Sequence, residues 1–301
     1  MSIQTSKRIG QLPRPLGDMP AVARDNAAFV FGGGSGQEMR DEILKIDFDG
    51  QVEQVGQLPL PLRGHQAVAV DDSVFLLGGF ADGTRADVWR LNMRDWTAKP
   101  VQPMPRESAW FSVTVVGRRI YVVGGFAIPQ GYWTDMAVYD IDGDRWETSS
   151  TSFPKELFPR GCLGSNAALG LEGRLLTFGG ADQFDPVRTR ANALDICAEY
   201  RLDDKQWRPL VGRIEAREGL VAAQEGSSAF LVGGMPESSE APLALVERVD
   251  LETGKVTQFG TLSSGVTVPA VAIVNKRLLI IGGVTQPPFE MTDRIEAFDI
   301  G

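Results

Sequence analysis

The sequence predicts an all-β fold: a six-bladed β-propeller of four-stranded antiparallel blades, closed by its own N-terminal strand. Three observations carry this. A Gly-Gly pair follows a run of four mostly apolar residues six times, beginning at Gly32, Gly78, Gly124, Gly179, Gly233 and Gly282. The pairs recur at near-constant spacings of 46, 46, 55, 54 and 49 residues. An aromatic residue is followed, after six intervening residues, by tryptophan at Trp89 to Trp96, Tyr139 to Trp146 and Tyr200 to Trp207. The opening Ile9-Gly10-Gln11-Leu12-Pro13 repeats the Val55-Gly56-Gln57-Leu58-Pro59 that precedes the second unit.

Each apolar run, such as Val74-Phe75-Leu76-Leu77 or Leu278-Leu279-Ile280-Ile281, is too short for a stable helix and rich in β-branched or aromatic residues. It reads as a strand buried on both faces, as expected where neighbouring blades cover it. The glycines then allow a sharp turn or a close approach of backbone where a Cβ would clash. The aromatic-to-tryptophan segments enclose acidic or Asn clusters, as in Tyr139-Asp140-Ile141-Asp142-Gly143-Asp144, and read as strand, turn, strand. A high content of Gly (34) and Pro (18) agrees with a turn-rich β chain. A length of 301 residues alone favours two domains. The repeat overrides that expectation, and residues 1–301 are read as one domain.

The sixth unit ends at Phe298-Asp299-Ile300-Gly301, where its third strand should end. Residues near 5–12 are therefore assigned as the outer strand of the last blade, which leaves no open edge. A formal net charge of −9 argues against nucleic acid or an anionic membrane as a general partner. Cys162 and Cys197 form no disulfide framework and are expected as free thiols. No signal-like segment or membrane-length run stands out, so the expected location is cytoplasmic.

The double glycine with aromatic-x6-Trp is the kelch signature, and the sequence resembles kelch proteins along nearly its whole length. In such a propeller the b–c and d–a loops share one face. Unit four is eight residues longer than unit three across its b–c region, Ala181–Asn192, and the d–a connection entering it, 149–160, is also long. Long loops in a compact fold tend to carry function. The functional face is therefore placed next to blade four. Aligned on the glycines, the starts of the innermost strands bring Asp18, Arg63, His65, Arg106, Glu107, Trp110, Arg160, Asn166, Arg217 and Glu218 to the channel mouth. This ring of guanidinium groups in an acidic protein fits a small anionic ligand, which Arg binds bidentately. The bland alternative pairs each arginine with neighbouring acids or loop carbonyls.

His65 is the single histidine, so a multi-histidine metal centre is impossible. No metal or other cofactor is expected. There is no nucleophile elbow or phosphate-cradling loop, and Gly32-Gly33-Gly34-Ser35-Gly36 precedes no helical pattern. The blade-four loop, Asp182-Gln183-Phe184-Asp185-Pro186-Val187-Arg188-Thr189, resembles that of bacterial sialic-acid epimerases (mutarotases), which are metal-free kelch enzymes. In them a Glu is followed after five residues by Arg-Thr; here Asp182 stands at the acid position. The resemblance implies an isomerase acting on an acidic sugar. Arg188 would hold the carboxylate, and Asp182, His65 or Glu107 would exchange protons. Arg63, Arg106, Trp110, Arg160, Asn166 and Arg217 are the remaining candidate binding residues. The competing expectation is a protein-interaction module that binds a partner peptide on the same face.

Overall fold

The computed structural model describes residues 3–147, 151–185, 190–286 and 290–301. Its strands form six blades, lettered a to d outward from the axis. Blade one contains Ala21–Arg24, Ala27–Ser35, Glu38–Asp47 and Val52–Leu62. Blade two contains Gln66–Val70, Ser73–Leu77, Val88–Asn92 and Ala98–Val101. In blade three, Ser112–Val116, Arg119–Val123 and Asp135–Asp140 precede an outer strand split into Arg145–Trp146 and Thr151–Ser152. Blade four contains Ala167–Leu171, Arg174–Phe178, Cys197–Arg201 and Gln206–Pro209. Blade five contains Val221–Glu225, Ser228–Val232, Leu245–Asp250 and Val256–Thr261. Blade six contains Ala270–Val274, Arg277–Ile281 and Arg294–Asp299.

The N-terminal segment supplies blade six with its fourth strand. Lys7–Gln11 pairs antiparallel with Arg294–Ala297, across a bulge between Arg8 and Gly10. The segment does more than its repeat pattern implied. Gln4–Thr5 first pairs in parallel with Gly260–Thr261 at the outer edge of blade five. Ser6, between the two strands, donates its hydroxyl to the buried Glu296 at 3.0 Å. One short segment thus ties the last two blades together.

The second strands are buried as expected, and the cores lie between blades. Phe75 and Leu77 of blade two pack with Ile120, Val122 and Tyr139 of blade three. The tryptophans face the preceding blade. Trp96 packs on Phe29 and Phe31, with ring centroids 5.3 and 6.0 Å away. Trp146 donates its indole N–H to Gln102 at 3.0 Å. Both cysteines are free, and burial pushes the Cys197 thiol up to about 12.

The glycine pairs have a specific mechanical role. The second glycine donates its N–H to a carbonyl of the next blade: Gly79 to Ser108, Gly125 to Leu163, Gly180 to Arg217, Gly234 to Val266 and Gly283 to Leu16, all at 2.8–2.9 Å. The first glycine makes room for that contact. At Gly233, with φ +60°, a Cβ would stand 2.2 Å from the Val266 carbonyl oxygen. A side chain there would push apart the bond that joins blade to blade.

Candidate functional site

Fourteen residues before each glycine pair, one residue per blade takes a left-handed backbone: Asp18, Gly64, Trp110, Ser165, Gly219 and Val268, with φ between 46° and 64°. Each donates its N–H to the carbonyl of its counterpart in the preceding blade. The bonds are Gly64 to Asp18 (2.8 Å), Trp110 to Gly64 (2.9 Å), Ser165 to Trp110, Gly219 to Ser165 and Val268 to Gly219 (2.7 Å each), and Asp18 to Val268 (3.2 Å). Six backbone hydrogen bonds therefore close a ring around the axis. A cavity of about 150 Å³, lined by these residues and the starts of the a strands, follows the axis inward.

The ring positions the mouth. Trp110 lays its indole across Gly64, where an added Cβ would lie 3.0 Å from the ring, and donates its N–H to the Asp18 carboxylate at 3.1 Å. Phe80 stacks on Trp110 at 6.3 Å, and the Arg63 guanidinium lies 5.7 Å from the centre of Phe80. Burial raises the Asp18 carboxyl, opposed by the bond from Trp110 and the charge of Arg63.

The other half of the mouth belongs to blades three to five. Glu218, bridged to Met235, accepts a hydrogen bond from the Ser165 hydroxyl, and burial pushes its carboxyl up to about 7. The Tyr132 ring rests on Gly164, where a Cβ would come within 2.6 Å, and meets Phe126 edge-on at 5.2 Å. Burial raises the Tyr132 phenol, with further contributions from the nearby Glu218, Cys162 and Asp182. Asp182 is 2% exposed. Its Oδ1 accepts a bond from Asn192, and its backbone carbonyl accepts the Cys162 thiol at 3.1 Å. Its Oδ2 has no hydrogen-bond partner among the described residues. The start of the blade-four b–c loop therefore meets the end of the connection that enters the blade.

The expected ring of arginines forms only in part. Arg217 is fully buried and turned away from the mouth. It pairs with Glu247 at 2.7 Å and donates to the carbonyls of Gly233 and Glu215. The register explains this: Arg217 lies sixteen residues before its glycine pair, where the other blades hold Leu16, Leu62, Ser108, Leu163 and Val266 between blades. Its neighbour Glu218 takes the mouth position instead. Arg106 is engaged on the flank, with its guanidinium 4.0 Å from the centre of Trp133 and in an ion pair with Asp135. Glu107 is exposed on the rim, accepting the Thr84 hydroxyl at 3.0 Å. Arg160 is exposed and close enough to Cys162 to act on its thiol. Asn166 is buried at the cavity wall and donates to Thr177 at 2.9 Å. His65 is buried, both ring nitrogens lack a hydrogen-bond partner among the described residues, and burial pushes it down to about 3. It lines the axial cavity as a neutral imidazole. Arg188 and Thr189 lie outside the described residues. Among the described residues no group of three or more His, Cys, Asp or Glu is arranged to hold a metal ion.

Glu218 has a measurable consequence for stability. Its folded pKa lies above the ordinary value of 4.5, so the unfolded chain releases this proton first as pH rises. The favourable state is complete below 4.5, and stability falls as pH climbs towards about 7. Glu218→Gln removes the effect. It is expected to match wild type near pH 4 and to exceed it by about 3 kcal/mol near pH 8, read from urea midpoints.

The architecture defines a six-bladed propeller with a loop-built mouth over a hydrogen-bonded ring. A profile of the KLHDC2/KLHL20/DRC7 Kelch-repeats domain matches residues 18–234, and the chain belongs to this kelch-repeat family. Among solved structures, that of YjhT superposes with a TM-score of 0.77 over 95% of both chains, at 15% sequence identity. This likeness is one of fold. No curated protein sequence matches the chain.

Proposed function

We propose that this kelch propeller is a cofactor-independent isomerase that opens and recloses the ring of a small acidic sugar at the mouth. The observation that carries the reading is Glu218, a carboxyl that burial holds near neutrality beside the Ser165 hydroxyl and the Tyr132 phenol. Anomer exchange needs a base for the anomeric hydroxyl proton and an acid for the ring oxygen, with no net proton change. A group that is half-protonated near pH 7 serves either role. Tyr132 and Ser165 stand beside it as hydrogen-bonding groups. Trp110 and Phe80 offer apolar surface to a sugar face. Arg160, exposed beside Cys162, is a guanidinium group that a carboxylate can meet. The Asp182 loop's resemblance to the sialic-acid mutarotases supports the same chemistry.

Anomer exchange followed by NMR on a panel of sugar acids tests the reading. Glu218→Gln is expected to lose about 100-fold or more in rate while folding normally. A wild-type protein that exchanges no sugar, or a variant as fast as wild type, removes Glu218 from this role. A second reading rests on Ile128 and Phe184, large apolar side chains 57% and 46% exposed on the b–c loops of blades three and four. Such residues beside a mouth suit a bound peptide, which becomes the working reading if no small molecule is bound.

A further inference from the structure

On the reading that the mouth opens and recloses a sugar ring, Glu218 needs a partner. One group must take the proton of the anomeric hydroxyl while another protonates the ring oxygen. Near Glu218, the Ser165 hydroxyl is given to Glu218 itself. The Cys162 thiol is given to the Asp182 carbonyl at 3.1 Å. Asp182 is buried and bound by Asn192. Tyr132 remains. Its phenol lies close to Glu218, and both residues are partly exposed, so a ligand can reach them. Three blades place it there. Tyr132 ends the short b–c hairpin of blade three, in which Phe126–Ala127 pairs with Gly131–Tyr132. Its ring lies over Gly164 of blade four and meets Phe126 edge-on. Gly164 and Glu218 hold the same position in neighbouring blades, each bridged to the residue after its own glycine pair, Ala181 and Met235. The residues that follow them, Ser165 and Gly219, are joined by a ring hydrogen bond of 2.7 Å. Tyr132 is thus held beside Glu218 by contacts of its ring and not of its hydroxyl.

We infer that Tyr132 is a second catalytic residue, the general acid that protonates the sugar's ring oxygen while the Glu218 carboxylate takes the proton of the anomeric hydroxyl. The bond between the anomeric carbon and the ring oxygen breaks. The anomeric oxygen becomes a carbonyl, and the ring oxygen leaves as a hydroxyl carrying the phenol's proton. After rotation about the neighbouring carbon–carbon bond, closure on the other face runs the same transfers backward. The phenolate recovers its proton from the ring hydroxyl, and Glu218 returns its proton to the new anomeric oxygen. Nothing is oxidised or consumed. A phenol suits the acid's part: burial first, then the nearby Glu218, Cys162 and Asp182, hold Tyr132 above its ordinary value of 10.0, so it stays protonated where Glu218 is ionised. Gly164 matters to the same step, because a Cβ there would stand 2.6 Å from the tyrosine ring and displace it.

The test uses the full-length protein with glucuronic, galacturonic and mannuronic acids, their anomer exchange followed by NMR. Their methyl glycosides, whose rings cannot open, serve as binding probes in calorimetry. Tyr132→Phe keeps the ring on Gly164. It is expected to lose about 100-fold in exchange rate while binding the methyl glycosides as wild type does. Fluorotyrosine placed at position 132 by amber suppression is a stronger acid of nearly the same shape. It is expected to exchange about twofold faster than wild type at pH 7, a gain that a structural role would not give. A Tyr132→Phe variant as fast as wild type, a loss of rate matched by a loss of binding, or a rate unchanged by fluorination overturns the inference. If circular dichroism shows that Tyr132→Phe misfolds, the fluorinated protein decides. Slow exchange in Glu218→Gln beside wild-type exchange in Tyr132→Phe would keep the isomerase reading and remove this role. A wild type that exchanges none of the three acids removes both.

Discussion

Removing residues 1–12 is expected to lower the melting temperature by about 6 °C, equivalent to roughly 4 kcal/mol, or to prevent folding altogether. The deletion strips the outer strand from blade six and the parallel strand from blade five at once. It leaves Glu296 without the Ser6 hydroxyl and takes away Leu12, which is 1% exposed and packs in the core between blades six and one. Partly buried Ile9 leaves the same core. Removing a large buried aliphatic costs about 2–5 kcal/mol by itself, and the newly free strand edge invites association. A thermal melt followed by light scattering checks both effects. A truncated chain that melts with wild type would show that the ring closes without this strand.

Arg217 supports the second large effect. Its guanidinium is buried completely, held by Glu247 and two backbone carbonyls, with the 2.7 Å contact to Glu247 too bent to count as an aligned hydrogen bond. Arg217→Ala leaves the buried Glu247 carboxylate unpaired and should cost about 3–5 kcal/mol. Replacing both partners, as Arg217→Leu with Glu247→Leu, should recover most of that loss, because leucine fills the equivalent position in blades one, two and four and no charge remains buried. Urea denaturation of the three variants decides the matter. A single Arg217→Ala variant as stable as wild type would mean that the pair contributes nothing. On the proposed reading, sugar binding in the double variant should be retained, since neither residue reaches the mouth.

The fold was legible because its causes are local and repeated. An apolar run must be buried, a following glycine pair must let backbone meet backbone, and six copies at one period leave few architectures that satisfy both. Closure was legible for the same reason, since Ile9-Gly10-Gln11-Leu12-Pro13 copies a segment whose place in the blade is set by the repeat. The choice of face followed from connectivity, which fixes that b–c and d–a loops share one side. Even so, the parallel pairing of Gln4–Thr5 with blade five left no trace in the pattern, because two residues have no periodicity to show.

The site was legible only to within one residue, and one residue is decisive in extended backbone next to a β-bridge. Arg217 and Glu218 are adjacent in sequence, yet one is buried between blades and the other stands in the mouth, because successive side chains point to opposite sides. Counting back from the glycine pairs places Glu218 in the column of Arg63 and Thr267, and Arg217 in the column of Leu62 and Val266. Tyr132 carried no signal, since its role depends on Gly164 in the next blade leaving room for its ring. The sequence by itself determined the blades, their number, their closure and the face on which loops gather, because these follow from hydrophobic period and connectivity. Tertiary structure alone decided which charges are paired between blades and which stand at the mouth. Burial and neighbouring groups set the protonation of Glu218, the neutrality of His65 and the unpartnered oxygen of Asp182, and these depend on atoms brought together from different blades.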